Sequence, residues 1–387
     1  MCSNIITFVA PVNIAVIKYW GKRDEELILP LNDSISATLD TNVMCAKTSV
    51  SYSSKYTENE IWLNGKKESF DNKRLLNCLN EIKLRAASEK SVNEEILNWK
   101  VHICSVNNFP TAAGLASSAA GYACLVSALA KLYKVESDIS SIARLGSGSA
   151  CRSVYGGFVR WHAGVDPKGA DSIAKKIVDA SHWPEMRILI LVVGDTRKKI
   201  SSTVGMKRSA ETSDLLKHRI EYCVPKRAEE ITNAIVSKDF EKFAVITMKD
   251  SNQFHAICMD SYPPYVYKTN VSHKIIELIH SYNDLCGETN VAYTFDAGPN
   301  ACLYLLEKDV PALISVLKYV FPTSTPDSYI RGLVPECKDL SETFLNKLSV
   351  QPQEQDLIKY MIYTKVGNGP AEEKGNHLLN ENGLPVM

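Results

Sequence analysis

Asn107-Asn108-Phe109-Pro110-Thr111-Ala112-Ala113-Gly114-Leu115-Ala116-Ser117-Ser118-Ala119-Ala120-Gly121 is a loop of small residues that runs into the first turn of a helix. Upstream, Trp99 to Val106 is β-rich, with Val101, Ile103 and Ser105 alternating against His102 and Cys104, which predicts a strand feeding the loop. Downstream, Ala119 to Tyr133 is rich in Ala and Leu and free of Pro, which predicts a largely buried helix. Gly114 and the flanking alanines leave the main chain open to an approaching anion. Ser117 and Ser118 add hydroxyl donors where the free N–H groups and dipole of a helix N-terminus favour negative charge. That chemistry suits the gripping of phosphates, although taken alone the loop fits a packing turn equally well. It is not a Walker A loop, which needs Lys-Ser or Lys-Thr after its last glycine; this loop holds no lysine.

Three further segments work outward from the loop. Ser147-Gly148-Ser149-Ala150-Cys151-Arg152 follows a helical stretch from Ile139 to Leu145 that Gly146 is placed to end. Ser147 or Ser149 is positioned to cap a further short helix, with Arg152 in its first turn. Hydroxyls, backbone donors and a forked cation together suit a diphosphate or a carboxylate. Near the N-terminus, Val12, Ile14, Val16 and Ile17 mark a strand that carries Lys18 into apolar surroundings, where an ammonium needs a partner. Asn13 and Lys18 are an odd number of residues apart, so both reach one site only across a bulge or bend. Finally, Val291 to Phe295 and Ala301 to Leu306 are β-rich runs flanking Asp296-Ala297-Gly298-Pro299-Asn300. On turn statistics Asp296 is an ordinary turn former; beside two anion sites and a lysine in need of a partner it becomes a candidate acid.

Composition sets the outer limits. The 387 residues suffice for two domains, and 45% apolar with 23% charged residues is ordinary for a globular chain. Forty-four basic and forty-four acidic residues cancel, so the overall field argues for neither nucleic acid nor a membrane as partner. An anionic substrate is then attracted locally, by Lys18, Lys22, Arg23, Arg74 and Arg152. Eleven cysteines without a CxxC pair fit free thiols in a reducing, cytoplasmic setting. His255 and Cys258 have a spacing found in metal sites but no second pair, which favours a core role. The first seven residues are too short and polar a stretch for a signal peptide, and no apolar run reaches membrane length.

The organisation reads as α+β in two units, 1–185 and 186–387. The break falls at Trp183-Pro184, and Met186 to Val193 reads as a fully buried strand opening the second unit. Helical periodicity follows at Leu215 to Val236, Phe240 to Phe254, Ile275 to Leu285 and Val310 to Tyr319, with a last strand at Lys359 to Val366. The end after about residue 368 reads as a polar tail with a weak case for order.

Five runs together resemble the diphosphomevalonate decarboxylases of the GHMP kinase superfamily: APVNIAVIKYWGKRDEELILPLNDSISATL (10–39), NNFPTAAGLASSAAGYACL (107–125), GSGSACRSVYGGF (146–158), MKDSNQFHA (248–256) and VAYTFDAGPNACLYL (291–305). The first and third are specific to these enzymes. Ala116 stands where the kinases of the superfamily carry Gly, as it does in the decarboxylases. The stretch from Cys337 to Glu354 and the end after Asn368 match least well. The resemblance implies a two-lobed GHMP kinase fold, with a ribosomal-protein-like N-terminal lobe and a ferredoxin-like C-terminal lobe. It implies ATP-dependent decarboxylation of (R)-5-diphosphomevalonate in the mevalonate pathway, with Mg²⁺ bridging the ATP phosphates, and a homodimer. Asp296 then meets the substrate's 3-hydroxyl as a base or an orienting acceptor, Lys18 holds that carboxylate, and Asn13 and Arg152 fix the substrate carboxylate and the opposite end of the molecule. Tyr19, Trp20, Gly21, Lys22, Arg74, Ser147, Gly148, Ser149, Ala150, Cys151, Arg152 and Thr203 match positions that bind diphosphomevalonate. Pro110, Ala113, Gly114, Leu115, Ala116, Ser117 and Ser118 match the ATP phosphate loop. Two other readings stay open: a kinase of the same superfamily that phosphorylates and stops, and a non-catalytic sensor of ATP and a small ligand.

Overall fold

Apolar alternation and small residues make the first half of the molecule a sheet with one helix laid close against it. The computed structural model describes residues 4–109, 117–194 and 199–386. Strand Lys100–Asn107 enters the small-residue loop and helix Ser117–Tyr133 leaves it. Pro110, Ala113, Gly114, Leu115 and Ala116 lie outside the described residues. The helix packs on strands Asn4–Pro11 and Cys45–Ser53, and its many buried alanines let it approach closely. Those strands belong to a six-stranded sheet in the order 371–372, 4–11, 45–53, 100–107, 60–63, 66–68, antiparallel except where 60–63 runs with 100–107. A four-stranded antiparallel sheet, in the order 174–178, 158–161, 34–38, 13–17, carries the N-terminal motif.

The second half is built on a five-stranded sheet in the order 291–295, 301–306, 186–192, 360–365, 330–332. Strand Met186–Val192 is central and all seven of its residues are buried, which is why it reads as an apolar run broken only by Arg187, paired with Glu307. Leu189→Ala there removes core volume between two neighbouring strands and is expected to cost about 2–5 kcal/mol in urea unfolding. A loss below about 1 kcal/mol would place the strand outside the core. The helices observed, Phe240–Asp260, Asn270–Cys286 and Val310–Val320, extend those read from periodicity at their ends. The stretch read as one helix from Leu215 is Asp214–His218 and Val224–Ser237 joined by a π-helical turn, Arg219–Cys223.

One sequence expectation is met for a different physical reason and two need correcting. Gly146 closes helix Ser140–Gly146 without a left-handed cap; a Cβ there would meet the Tyr122 ring at 2.1 Å, so the glycine serves close packing. Neither serine caps the short helix Ala150–Ser153 as expected: Ser149 precedes it in a helical conformation with no side-chain cap bond, and the hydroxyls remain available for other partners. The C-terminal tail is ordered. Residues Ala371–Glu372 pair with the edge strand Asn4–Pro11, Leu379 is buried beside Trp62 and Cys104, and His102 Nδ1 lies 2.8 Å from the Gly383 carbonyl. An open sheet edge supplies hydrogen bonds to any segment that reaches it, a source of order that local composition does not reveal.

Candidate active site

Strand Asn13–Ile17 pairs with Ser34–Thr38, and the register slips between Ala15 and Ile17. That bulge turns Asn13 and Lys18 into one cavity of about 450 Å³, as their odd spacing required. Asp296 enters the cavity from the other half of the molecule, at the turn after strand Val291–Phe295. Lys18 Nζ and Asp296 Oδ1 are 2.6 Å apart. The lysine side chain is 4% exposed and the carboxylate 34%, so the ammonium is sunk in protein while the acid opens toward the cavity.

Arg152 is buried on the same wall. Its Nε donates to Ser36 Oγ at 2.8 Å and its Nη2 to Asn13 Oδ1 at 3.1 Å. Asn13 Nδ2 in turn donates to the Ser149 carbonyl at 2.9 Å and Ser153 Oγ at 2.7 Å, which fixes the amide orientation. Nη1 of Arg152 is buried without a hydrogen-bond partner, and no carboxylate pairs with this guanidinium among the described residues. Burial pushes its pKa down, the cost of a cation stripped of water. An anion supplied from outside would relieve that cost.

The serines form a rail along the cavity. Ser118 Oγ lies 3.3 Å from Ser147 Oγ, which lies 3.4 Å from Ser149 Oγ, linking helix Ser117–Tyr133 to the segment from Ser147 to Arg152. Ser117, Arg74 and Gly148 also line this cavity, as do Ser201, Ser202 and Thr203 at the start of helix Ser202–Thr212. Gly148 allows close approach, since a Cβ there would meet the Tyr19 ring at 2.8 Å. The Tyr19 hydroxyl is buried with no partner, and burial drives its pKa far up, so it remains a donor. Trp20 lines the cavity and holds its indole N–H on Ser209 Oγ at 3.0 Å. Lys22 lines the cavity and pairs with Glu25. Gly21 turns the chain behind these side chains with φ +91°. Ala150 and Cys151 are fully buried; the Cys151 thiol packs with Val159 and Trp161 and burial pushes it up to about 12, which removes it as a nucleophile. His255 is buried between Phe254 and Phe295, with its pKa pushed well down chiefly by burial, and His255 and Cys258 serve the core.

A second cavity of about 320 Å³ shares Ser117 and Ser118 with the first and is otherwise lined by groups such as Ile61, Leu63, Asn64, Leu75 and Tyr122. Among the described residues no group of three His, Cys, Asp or Glu side chains could hold a metal ion.

Two family models tile the chain: "Diphosphomevalonate decarboxylase-like N-terminal domain" over residues 10–174 and "Mevalonate 5-diphosphate decarboxylase C-terminal domain" over residues 188–372. The diphosphomevalonate decarboxylase of Danio rerio is 52% identical over 99% of this chain and 96% of its own length. The chain belongs to the diphosphomevalonate decarboxylase family. A crystal structure of a mevalonate 5-diphosphate decarboxylase superposes with a TM-score of 0.85 at 44% identity, covering 97% of this chain and 98% of the other. Another solved structure, described as "MDDEF in complex with MVAPP, AMPPCP and Magnesium", gives a TM-score of 0.73 at 30% identity over 95% of this chain and 98% of its own. The α+β, two-lobed GHMP kinase architecture is therefore that of the diphosphomevalonate decarboxylases.

Several residues that build this decarboxylase-family site were not singled out by sequence reasoning. Ser36 and Ser153 lie inside two of the quoted runs, but their roles in orienting Arg152 and Asn13 rest on contacts between segments distant in sequence. Arg219 and Asp250 form an ion pair with both side chains 0% exposed, against the Lys18 main chain. The run MKDSNQFHA carried part of the family signal, and a charged Asp250 on the buried face of helix Phe240–Asp260 was the available clue.

Proposed function

We propose that this protein catalyses ATP-dependent decarboxylation of (R)-5-diphosphomevalonate to isopentenyl diphosphate, ADP, phosphate and carbon dioxide. The observation that carries the reading is the 2.6 Å Lys18–Asp296 pair in a cavity lined also by Ser117, Ser118, Arg152 and Asn13. A saturated 3-hydroxy acid has no electron sink for the pair left by departing carbon dioxide. Phosphorylation of the tertiary hydroxyl turns it into a leaving group, and the carboxylate's bonding electrons then fall toward C3 as phosphate departs. Protein groups need only hold two dense anions in line and stabilise charge as it moves.

In this reading the Asp296 carboxylate accepts the hydrogen bond, and then the proton, of the 3-hydroxyl. Lys18 holds that carboxylate in place at 2.6 Å and faces the transferred phosphoryl group. Arg152 Nη1 takes the substrate carboxylate with Asn13 beside it. Tyr19, Lys22, Arg74, Ser147 through Arg152 and Thr203 hold the diphosphate end, with Trp20 and Gly21 shaping the wall. The loop from Pro110 to Ser118 cradles the ATP phosphates, and the smaller cavity beyond Ser117 and Ser118 takes the nucleoside. The hydroxyls of Ser117 and Ser118, hard oxygen donors at that junction, fit Mg²⁺ held mainly by nucleotide oxygens. When bound, Mg²⁺ neutralises phosphate charge. The chain divides functionally into lobes 1–185 and 186–387, a reading supported by the change of sheet between residues 178 and 186, with the exception that residues 371–386 return to the first lobe's sheet. Family resemblance supports a homodimer, checked by light scattering, and the unpaired described cysteines support a reducing, cytoplasmic location. No helix among the described residues is long and apolar enough to cross a membrane.

Incubation with ATP and carboxyl-labelled diphosphomevalonate tests the reaction. Carbon dioxide and ADP are expected in equal amounts; ADP with a phosphorylated, still carboxylated product would instead make the protein a kinase.

A further inference from the structure

Lys18 stands at the point where its strand leaves the sheet: the pairing with Ser34–Thr38 ends at Ile17 opposite Ile35. Its peptide groups must find other partners, because buried N–H and C=O groups are costly to leave unpaired. The Lys18 N–H donates to Asp250 Oδ2 at 2.8 Å. The Lys18 carbonyl accepts from Arg219 Nη2 at 3.1 Å and from Asn32 Nδ2 at 3.1 Å. Arg219 also grips Asp250 with both ends of its fork, Nη1 to Oδ1 at 2.6 Å and Nη2 to Oδ2 at 2.9 Å. The next residue on the same helix, Ser251, accepts the Phe295 N–H on its Oγ at 3.0 Å, one residue before Asp296.

We propose that Arg219, Asp250 and Ser251 are positioning residues for the decarboxylation reaction: adjacent residues of one helix fix the main chain beside Lys18 and beside Asp296, and so set the geometry of the pair that meets the substrate hydroxyl. The inference rests on the functional reading above. Lys18 comes from the four-stranded sheet and Asp296 from the five-stranded one, so neither sheet alone determines their separation. Helix Phe240–Asp260 touches both strands and is the element common to them. A fully buried ion pair is a poor way to gain stability over apolar packing, which favours a role in specifying geometry. Arg219 begins the π-helical turn Arg219–Cys223, and such local widening is common where a side chain must be aimed. Arg227 and Gln253 brace the pair from outside, with Arg227 Nη1 on Gln253 Oε1 at 2.6 Å and Arg219 Nη1 on the same oxygen at 3.0 Å.

The test uses the full chain with ATP and diphosphomevalonate. Carbon dioxide release by the unsubstituted protein checks the functional reading by itself, and the variants are then read as ratios to it. Arg219→Lys keeps the charge but loses the fork. It is expected to lower kcat by about 10–100-fold, the penalty for a reacting group displaced by roughly an ångström, with KM for both substrates within about threefold. In a Lys18→Met background the same substitution is expected to lower single-turnover carbon dioxide release by less than about twofold, because the group it positions is gone. Ser251→Ala leaves the ion pair whole and decides the matter if Arg219→Lys does not fold. It is expected to lower kcat by about 5–10-fold at unchanged KM, and to add nothing to Asp296→Asn. Losses confined to KM, or the same fold-loss with and without the positioned side chain, would overturn the proposal.

Discussion

Asp296→Asn is expected to lower kcat by about 10³-fold while ATP affinity stays within severalfold. The side chain is nearly isosteric, so the cavity keeps its shape. What disappears is the anionic acceptor facing the reacting hydroxyl, and loss of a positioned base costs about 10²–10⁴-fold. A second loss compounds it: the Lys18 ammonium, 4% exposed, loses the carboxylate 2.6 Å away and no longer has a fixed place beside the phosphoryl group. The stability cost is modest, about 1–2 kcal/mol, below the ~3–5 kcal/mol of a fully buried pair, because a third of the Asp296 side chain is already open to water. Steady-state turnover together with direct titration of the nucleotide separates the two effects. An equal fall in ATP affinity would show that Asp296 belongs to nucleotide binding and not to the hydroxyl.

The same pair shows what the chain revealed as letters and what it kept hidden. The strand up to Asn107 and the helix from Ser117 were legible because period-2 alternation and an Ala/Leu run are local signals. So was the need for a bulge or bend, since Asn13 and Lys18 cannot share a site on a flat strand; the structure places it as a bulge between Ala15 and Ile17. Asp296 was legible only through company: its own turn, with the Gly298 N–H on the Asp296 carbonyl at 2.7 Å, is the ordinary turn that its composition describes. The Arg219–Asp250 pair was out of reach because its meaning lies in contacts across more than two hundred residues, to the main chain of Lys18. A charged residue on an amphipathic helix defaults to a solvated face, and only tertiary packing reverses that default. The ordered tail failed for a related reason: its partner is a sheet edge at the other end of the chain.

Arg152→Ala is the second large effect, a fall in kcat/KM of about 10²–10³-fold, against a change within severalfold for Arg160→Ala. Both arginines are well packed, so exposure alone does not separate them; their partners do. Arg160 meets two carboxylates, Asp33 at 2.8 Å and Glu229 at 2.5 Å, and its charge is already neutralised inside the protein. Arg152 meets only neutral groups, Ser36 and Asn13, and its Nη1 has no partner at all. A buried, hydrogen-bonded charge pair lost on one side costs about 2–5 kcal/mol, which sets the size of the expected effect once the substrate carboxylate is the partner. Arg152→Lys is expected to recover little of it. The three donors of an ammonium radiate from one nitrogen and cannot span the acceptors on Ser36 and Asn13 that Nε and Nη2 reach separately while also meeting the ligand, whereas the planar fork does all three. Removal of Arg160 should instead register as a lowered melting temperature with near-normal turnover. Similar catalytic losses from the two alanine variants would mean that the carboxylate is held elsewhere, and that the vacant donor on Arg152 serves the fold.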